Sequence, residues 1–405
     1  MAGAGRRILI DVSTSLRWKG HNPVGIVRTE RELVQYFLEH CPDAAFFIYD
    51  TGEDTFWLVP KRAVAAIFQE PQARAASVPV AGQLDENVLL RFQREDVVFS
   101  VGLQWDIAYM ARLYAEKKRR GMFVVQTVYD IIPILMPEYC VPGMEQKFPK
   151  FIVDTAWTAD LIFCISDSTS RDLIRYYDHI GLKAPPVTRI ELGSDIPTTR
   201  PPTTQAAGES GFLDLEAGNF VLYVSTIEPR KNHQMLFNIW RELYETDRER
   251  LVPLVFVGNA GWNTSELLHF IRSSGNLYPD YIRILSNVAD DDLDWLYRNA
   301  RLSVYPSLYE GWGLPMAESL ARGTVCIGSN TSSMPEVGGA LTDLLHPLDY
   351  LGWRDRIRHY LTDAEALAAR EAEIRAGYAP PSWDACMAKF SRDLFEALDR
   401  REVPQ

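Results

Sequence analysis

Short apolar runs rich in β-branched and aromatic residues recur along the chain, separated by stretches with helical spacing. This alternation restricts the fold more than any other property of the sequence. Residues 7–12 (RILIDV), 96–102 (DVVFSVG), 122–133 (MFVVQTVYDIIP), 161–166 (LIFCIS) and 186–193 (PVTRIELG) read as strands. So do 220–226 (FVLYVST), the start of 253–262 (PLVFVGNAGW), 281–288 (YIRILSNV), 302–306 (LSVYP) and 323–330 (GTVCIGSN). Runs that are apolar without strict alternation suit strands covered on both faces. Residues 27–40, 106–120, 144–159, 167–177, 233–245 and 289–300 read as the intervening helices, with Asp167 or Ser168 and Asp290 or Asp291 as expected caps. Strand and helix in turn imply parallel sheets with right-handed crossovers, and ligands at the strands' carboxyl ends.

Composition divides the chain. Residues 196–218 (IPTTRPPTTQAAGESGFLDLEAG) are rich in Pro, Thr, Ala and Gly and read as a linker. The expected organisation is a first domain over 1–200, a linker over 201–218, a second domain over 219–382 and a C-terminal helix over 383–405. That helix carries apolar residues at 3.6 spacing, Trp383, Cys386, Met387, Phe390, Leu394 and Leu398.

The net charge of −12 is uneven: residues 1–200 hold 23 basic and 25 acidic side chains, and the rest hold 19 and 29. This balance argues against nucleic acid as a partner. One basic cluster, Lys117–Arg120, reads as the solvated end of a helix, with contact to an anionic membrane surface as the alternative. The five cysteines are scattered, without a CxxC pair, as expected of reduced residues in a cytosolic protein. The histidines show no metal-ligand spacing. The acidic run Asp290–Asp292 reads as a helix start in preference to a metal site.

Three places carry chemistry. Residues 302–318 (LSVYPSLYEGWGLPMAE) run from a strand through a loop with Gly311 and Gly313 into a helix opened by Pro315. Glu310 lies in the loop and Glu318 in the first turns of the helix, with helix N–H groups between them. Upstream, EPRKN places Arg230 and Lys231 just ahead of a helix, where two cations and free N–H groups suit a diphosphate. In the first half, the loop after the first strand carries Lys19, His21, Asn22, Gly25 and Arg28, and Asp130 ends the strand over 122–133.

These segments together resemble the retaining glycosyltransferases of family 4. The carriers are VSTIEPRKNHQMLFNIW, VFVGNAGW, LSNVADDDLDWLY, YPSLYEGWGLPMAESLARGTVCIGSN and MPEVGG, with EGWGLPMAE as the E-x7-E signature. GIVRTERELV, YDIIPILMPE and SWDACMAKF resemble further pieces of the same family. The resemblance implies a GT-B fold of the α/β class, two doubly wound Rossmann-like domains facing a central cleft, with the C-terminal helix crossing back to the first. It implies that Arg230 and Lys231 grip the donor diphosphate, that Glu310 contacts the donor sugar, and that Glu318 bonds the ribose. Gly258, Gly313 and Leu314 would line the donor site, Val288 would lie near the base, and Gly25 and Arg28 near the phosphates. Asp130 would serve at the reaction centre, although Tyr129 stands where many members carry histidine, and Asn259 where many carry Lys or Arg.

The activity implied is metal-independent hexosyl transfer needing no cofactor, with GDP-mannose the first donor expected and GDP-fucose or a UDP-sugar the alternatives. The acceptor would be a glycan or lipid-linked glycan, and the enzyme cytoplasmic with peripheral contact at the inner membrane face. A nucleotide-sugar epimerase and a non-catalytic subunit of a glycan-assembly complex are weaker readings, since no acid/base pair suits the first and the intact charged residues speak against the second.

Overall fold

The computed structural model describes residues 6–18, 25–69, 88–196 and 215–402. The chain forms two units. The first comprises residues 1–137, 142–193 and 381–405, and the second 138–141 and 194–380. Lys19, His21, Asn22 and most of the expected linker, residues 201–214, lie outside the described residues.

In the first unit the strands are β1 (Arg7–Asp11), β2 (Ala45–Asp50), β3 (Thr55–Val59), β4 (Val88–Leu89), β5 (Asp96–Ser100), β6 (Phe123–Val128), β7 (Leu161–Cys164) and β8 (Val187–Arg189). They form one sheet in the order β4-β3-β2-β1-β5-β6-β7-β8. β3 pairs antiparallel with both β2 and β4; β2, β1, β5, β6, β7 and β8 run parallel. The strands β5 and β6 are buried at every position, as expected of a sheet covered on both faces.

The C-terminal helix Trp383–Glu402 belongs to this unit. Its Phe390 ring lies 4.6 Å from Phe99 and 4.0 Å from Phe163, on β5 and β7. Gly193 passes so close to it that a Cβ would stand 2.5 Å from the Trp383 nitrogen.

In the second unit the strands are β9 (Val221–Val224), β10 (Leu254–Val257), β11 (Ile282–Leu285), β12 (Leu302–Tyr305), β13 (Cys326–Ser329) and β14 (Asp343–Leu345). All are parallel, in the order β11-β10-β9-β12-β13-β14. The order reverses between β9 and β12, the switch point where open α/β sheets bind ligands. Ile196 and Leu215 join the core of this unit beside Phe220 and Trp295, so the division falls at Ser194, ahead of the expected boundary at 200.

Several local expectations change. The strand over 122–133 ends at Val128, because Asp130 accepts the Ile132 N–H at 2.9 Å and Pro133 fits the first turn of a short helix, Ile132–Leu135. The helix over 106–120 is broken at Ala108, whose φ of +61° ends one turn before Met110–Arg120 begins. The cap of Asp167–His179 is Ser166, whose hydroxyl accepts the Thr169 N–H at 3.0 Å. Ala289 occupies the cap position of Asp290–Asn299, so the three aspartates lie within the first turn, where the helix dipole favours acids.

Candidate functional site

The second unit gathers its charged residues at the carboxyl ends of β9 and β12. After β9 the chain passes Glu228 into a tight turn, Pro229–Lys231, and Asn232 then adopts a left-handed conformation (φ +60°) before the helix His233–Thr246. Asparagine tolerates this region, and its side chain is fixed by donating to the carbonyls of Pro306 (3.3 Å) and Pro347 (2.9 Å). The turn is tied down from β9 as well, since the Tyr223 hydroxyl donates to the Lys231 carbonyl at 2.6 Å. Leu308 donates its N–H to the Arg230 carbonyl at 2.9 Å, joining this turn to the loop after β12.

Within that frame, Lys231 Nζ lies 2.5 Å from Glu310 Oε1, and an Arg230 nitrogen lies 3.2 Å from Glu310 Oε2. Arg230 also donates to Glu228 and to the Tyr309 carbonyl. Burial would raise the Glu310 carboxyl, but Lys231 and Arg230 outweigh it and hold the group down at about 2. Glu310 is therefore ionised throughout the physiological range. Burial raises Glu228, a shift that the same two cations oppose. His233, 1% exposed against Tyr223 and Phe256, is pushed down to about 3 by burial and by the Lys231 ammonium, so its ring is neutral.

The loop that carries Glu310 is anchored by hydroxyls of residues 331–333. Ser332 accepts the Glu310 N–H at 2.8 Å, Ser333 donates to the Glu310 and Trp312 carbonyls at 2.9 and 2.8 Å, and Thr331 donates to the Leu308 carbonyl at 2.9 Å. Gly313, in the left-handed region, caps the helix Leu314–Ala321, with Pro315 in its first turn. Glu318 on this helix is 5% exposed, and its Oε2 accepts the Tyr297 hydroxyl at 2.9 Å.

Gly258, after β10, makes a contact that no other residue permits, because a Cβ there would lie 2.0 Å from the Ser225 carbonyl oxygen. Val288 is half-buried and packs on the apolar cluster that holds Trp295. Arg230, Lys231, Glu310, Gly313, Leu314, Glu318, Gly258 and Val288 thus belong to one unit.

Asp130, Gly25 and Arg28 belong to the first unit, where the loops after β1, β5 and β6 meet. Asp130 spends one carboxylate oxygen on its own turn. Gly25 (φ +52°) precedes the helix Ile26–His40, and Arg28 within that helix is 7% exposed.

Between them the structure adds an acid pair that the sequence reading missed, Asp11 and Glu30, both fully buried. Asp11 accepts from the Ser13 N–H and hydroxyl (2.9 and 2.5 Å), the Tyr109 hydroxyl (2.5 Å) and Gln104 (3.2 Å). Glu30 accepts the Ser15 N–H at 2.5 Å, and its other oxygen occupies space that exists only because Gly102 lacks a Cβ, which would stand 2.0 Å away. Burial raises both carboxyls, and the Asp11 charge helps push Glu30 to about 8. Among the described residues, no group of three or more His, Cys, Asp or Glu stands together as metal ligands would, and no helix is long and apolar enough to cross a membrane.

Residues 212–370 match the family described as glycosyl transferases group 1. Over 266 residues the chain is 30% identical to the O-antigen chain mannosyltransferase B of Escherichia coli, covering 65% of this chain and 67% of that protein. The chain belongs to the group 1 glycosyl transferases.

This glycosyltransferase is also 26% identical over 338 residues to the serotype-specific mannosyltransferase WbdA of E. coli, covering 78% of this chain but only 37% of that longer protein. Solved structures share the GT-B fold. HepE of Anabaena, solved with UDP and glucose, matches at a TM-score of 0.65 with 14% identity, covering 98% of this chain and 100% of its own. TarM matches at a TM-score of 0.53 with 12% identity, covering 75% and 55%.

Proposed function

We propose that this glycosyltransferase moves mannose from GDP-mannose to a glycan or lipid-linked glycan acceptor, with retention at the anomeric carbon and without a metal or other cofactor. The observation that carries the reading is the Arg230–Lys231 pair held against Glu310 at the sheet's switch point. The mannosyltransferases among its relatives support the sugar. A UDP-linked donor is the second reading, favoured by the UDP and glucose bound to HepE; a GDP-fucose donor ranks behind both.

The charges suggest the mechanism. As the bond between the anomeric carbon and the diphosphate oxygen breaks, negative charge gathers on the diphosphate and positive character on the sugar. Arg230 and Lys231 stabilise the first, together with the N–H groups opening His233–Thr246. Glu310, ionised at neutral pH, cannot donate a proton; it accepts hydrogen bonds from the donor sugar and tempers the cations' field. Glu318 takes the ribose, Gly313 and Leu314 offer N–H groups to sugar and phosphate, Gly258 gives close backbone approach, and Val288 flanks the base. The acceptor oxygen bonds to the anomeric carbon on the face the diphosphate leaves, and its proton passes to the departing phosphate oxygen.

Thermal stabilisation by GDP, UDP, ADP and TDP, followed by transfer assays with the matching donors, tests the proposal. A larger shift with GDP and transfer from GDP-mannose is expected. A larger shift with UDP, or product release from donor without acceptor, would overturn the donor or the reaction. The enzyme is proposed to work in the cytoplasm.

A further inference from the structure

We propose that the first unit carries a docking surface for an anionic lipid bilayer, at the edge of its sheet remote from the strands' carboxyl ends. Trp157 is its interfacial anchor, and Lys118, Arg119, Arg120 and Lys183 are its headgroup contacts.

Topology brings these residues together. The helices Met110–Arg120, Met144–Thr158 and Asp167–His179 connect β5 to β6, β6 to β7 and β7 to β8, all parallel strands. Each helix therefore returns against the strand direction and ends at the strands' amino-terminal edge. They pack side by side, since Lys117 Nζ donates to the Thr158 carbonyl at 2.8 Å and the Tyr177 hydroxyl to the Ile152 carbonyl at 2.9 Å. A hollow of about 350 Å³ opens there, lined by Ala156, Trp157, Leu182, Lys183, Pro185 and Pro186 among others.

Trp157 is 58% exposed, the most exposed tryptophan among the described residues. Its ring offers an apolar body with one N–H, the combination that settles where hydrocarbon meets headgroups. The acid beside it, Asp160, is already paired with Lys117 at 2.8 Å. Lys118, Arg119, Arg120 and Lys183 are exposed. Glu116, on the same helix, pairs with Arg112 at 2.8 Å and with Arg119 at 3.5 Å; with Lys118, Arg120 and Lys183 added, the cations named at this edge outnumber Glu116 and Asp160, on a chain of net charge −12.

The helix dipole alone explains basic residues in the last turn of Met110–Arg120. It does not explain an exposed tryptophan over an apolar hollow on the neighbouring helix, with a further lysine on the far rim. An apolar centre ringed by cations complements an anionic bilayer, which supplies both hydrocarbon and phosphate. Docked this way, the unit would leave Gly25 and Asp130, at the strands' opposite ends, facing water.

The test is co-sedimentation of the full chain with vesicles of phosphatidylcholine alone and of phosphatidylcholine with phosphatidylglycerol, over a salt series. Binding to the anionic vesicles at low salt, fading as salt rises, is expected, with none to the neutral ones. Lys118→Gln with Arg119→Gln and Arg120→Gln should weaken binding on the order of 100-fold, and Trp157→Ala several-fold; the triple variant gives up the surface pair of Arg119 with Glu116 and the dipole's cations, so its melting midpoint should fall slightly while the fold is kept. Arg354→Gln with Arg358→Gln, in the second unit, should bind as the parent does. Absence of binding to anionic vesicles, or equal binding by the parent and either edge variant, would overturn the proposal. So would full release by soluble polyglutamate with Trp157→Ala indistinguishable from the parent, which points to an acidic protein partner.

Discussion

At the carboxyl edge of the first sheet, Asp11 and Glu30 are buried among hydroxyls, an amide and backbone N–H groups, while Glu310 in the second unit is buried against a lysine and an arginine. The residue types and topological position are alike, yet burial drives Glu30 up to about 8 and the cations bring Glu310 down to about 2. Desolvation acts on both; what differs is the presence of fixed positive charge. A carboxylate that keeps its charge beside two cations belongs to a site built for a charged ligand. One that holds its proton among hydroxyls and backbone N–H groups braces the loops around it.

The largest effect expected from this contrast is a pH-dependent loss of stability in the first unit. Folded Glu30 retains a proton that the unfolded chain releases near 4.5, so stability is greatest below that pH and declines up to about pH 8. The decline is on the order of 5 kcal/mol, at about 1.4 kcal/mol per pKa unit. Glu30→Gln should flatten it, raising the melting midpoint at pH 9 and leaving it nearly unchanged at pH 4. A variant as pH-sensitive as the parent would show that Glu30 is not the group.

Next in size, Lys231→Ala should lower kcat/KM for transfer by about 10²-fold, roughly 3 kcal/mol of transition-state stabilisation, whereas Glu30→Gln should leave it within a few-fold. Comparable losses in both would erase the distinction between a ligand site and a brace.

The third effect has the opposite pH sign to the first. Glu310 is held below its unfolded value, so its contribution is complete above pH 4.5 and disappears as pH falls toward 2. It amounts to on the order of 2 kcal/mol, less than the full shift implies because the side chain keeps 12% exposure. Acid titration of the melting midpoint should show a steeper fall in the parent than in Glu310→Gln.

The smallest expected effect is that of Ser333→Ala, which strips two carbonyls of the Glu310 loop of their donor. A cost of about 1 kcal/mol is expected, with a larger rise in donor KM than fall in kcat. An unchanged KM would mean that the loop holds its shape without the hydroxyl.

The parallel architecture was readable because apolar runs such as 96–102 and 220–226 need cover on both faces. Arg230, Lys231 and Glu310 were readable because each lies in a short segment with its own turn chemistry. Other features were not, because their partners are far away in sequence. Glu30 sits in the polar string TERE and looks like the solvated face of a helix until Gly102 and Thr14 are seen against it. Ser332 and Ser333 look like residues of a short turn, yet their hydroxyls bond the loop over 310–312. The cap of Asp290–Asn299 was misplaced because aspartate suits both the cap and the first turn, and sequence alone does not separate the two.

The most direct test of the central claim, that Arg230 and Lys231 form a diphosphate site with Glu310, is the calorimetric affinity of GDP and UDP for the parent, Lys231→Ala and Glu30→Gln. At least a tenfold loss of nucleoside diphosphate binding in Lys231→Ala, with Glu30→Gln matching the parent, is predicted. Equal affinity in the parent and Lys231→Ala would contradict it.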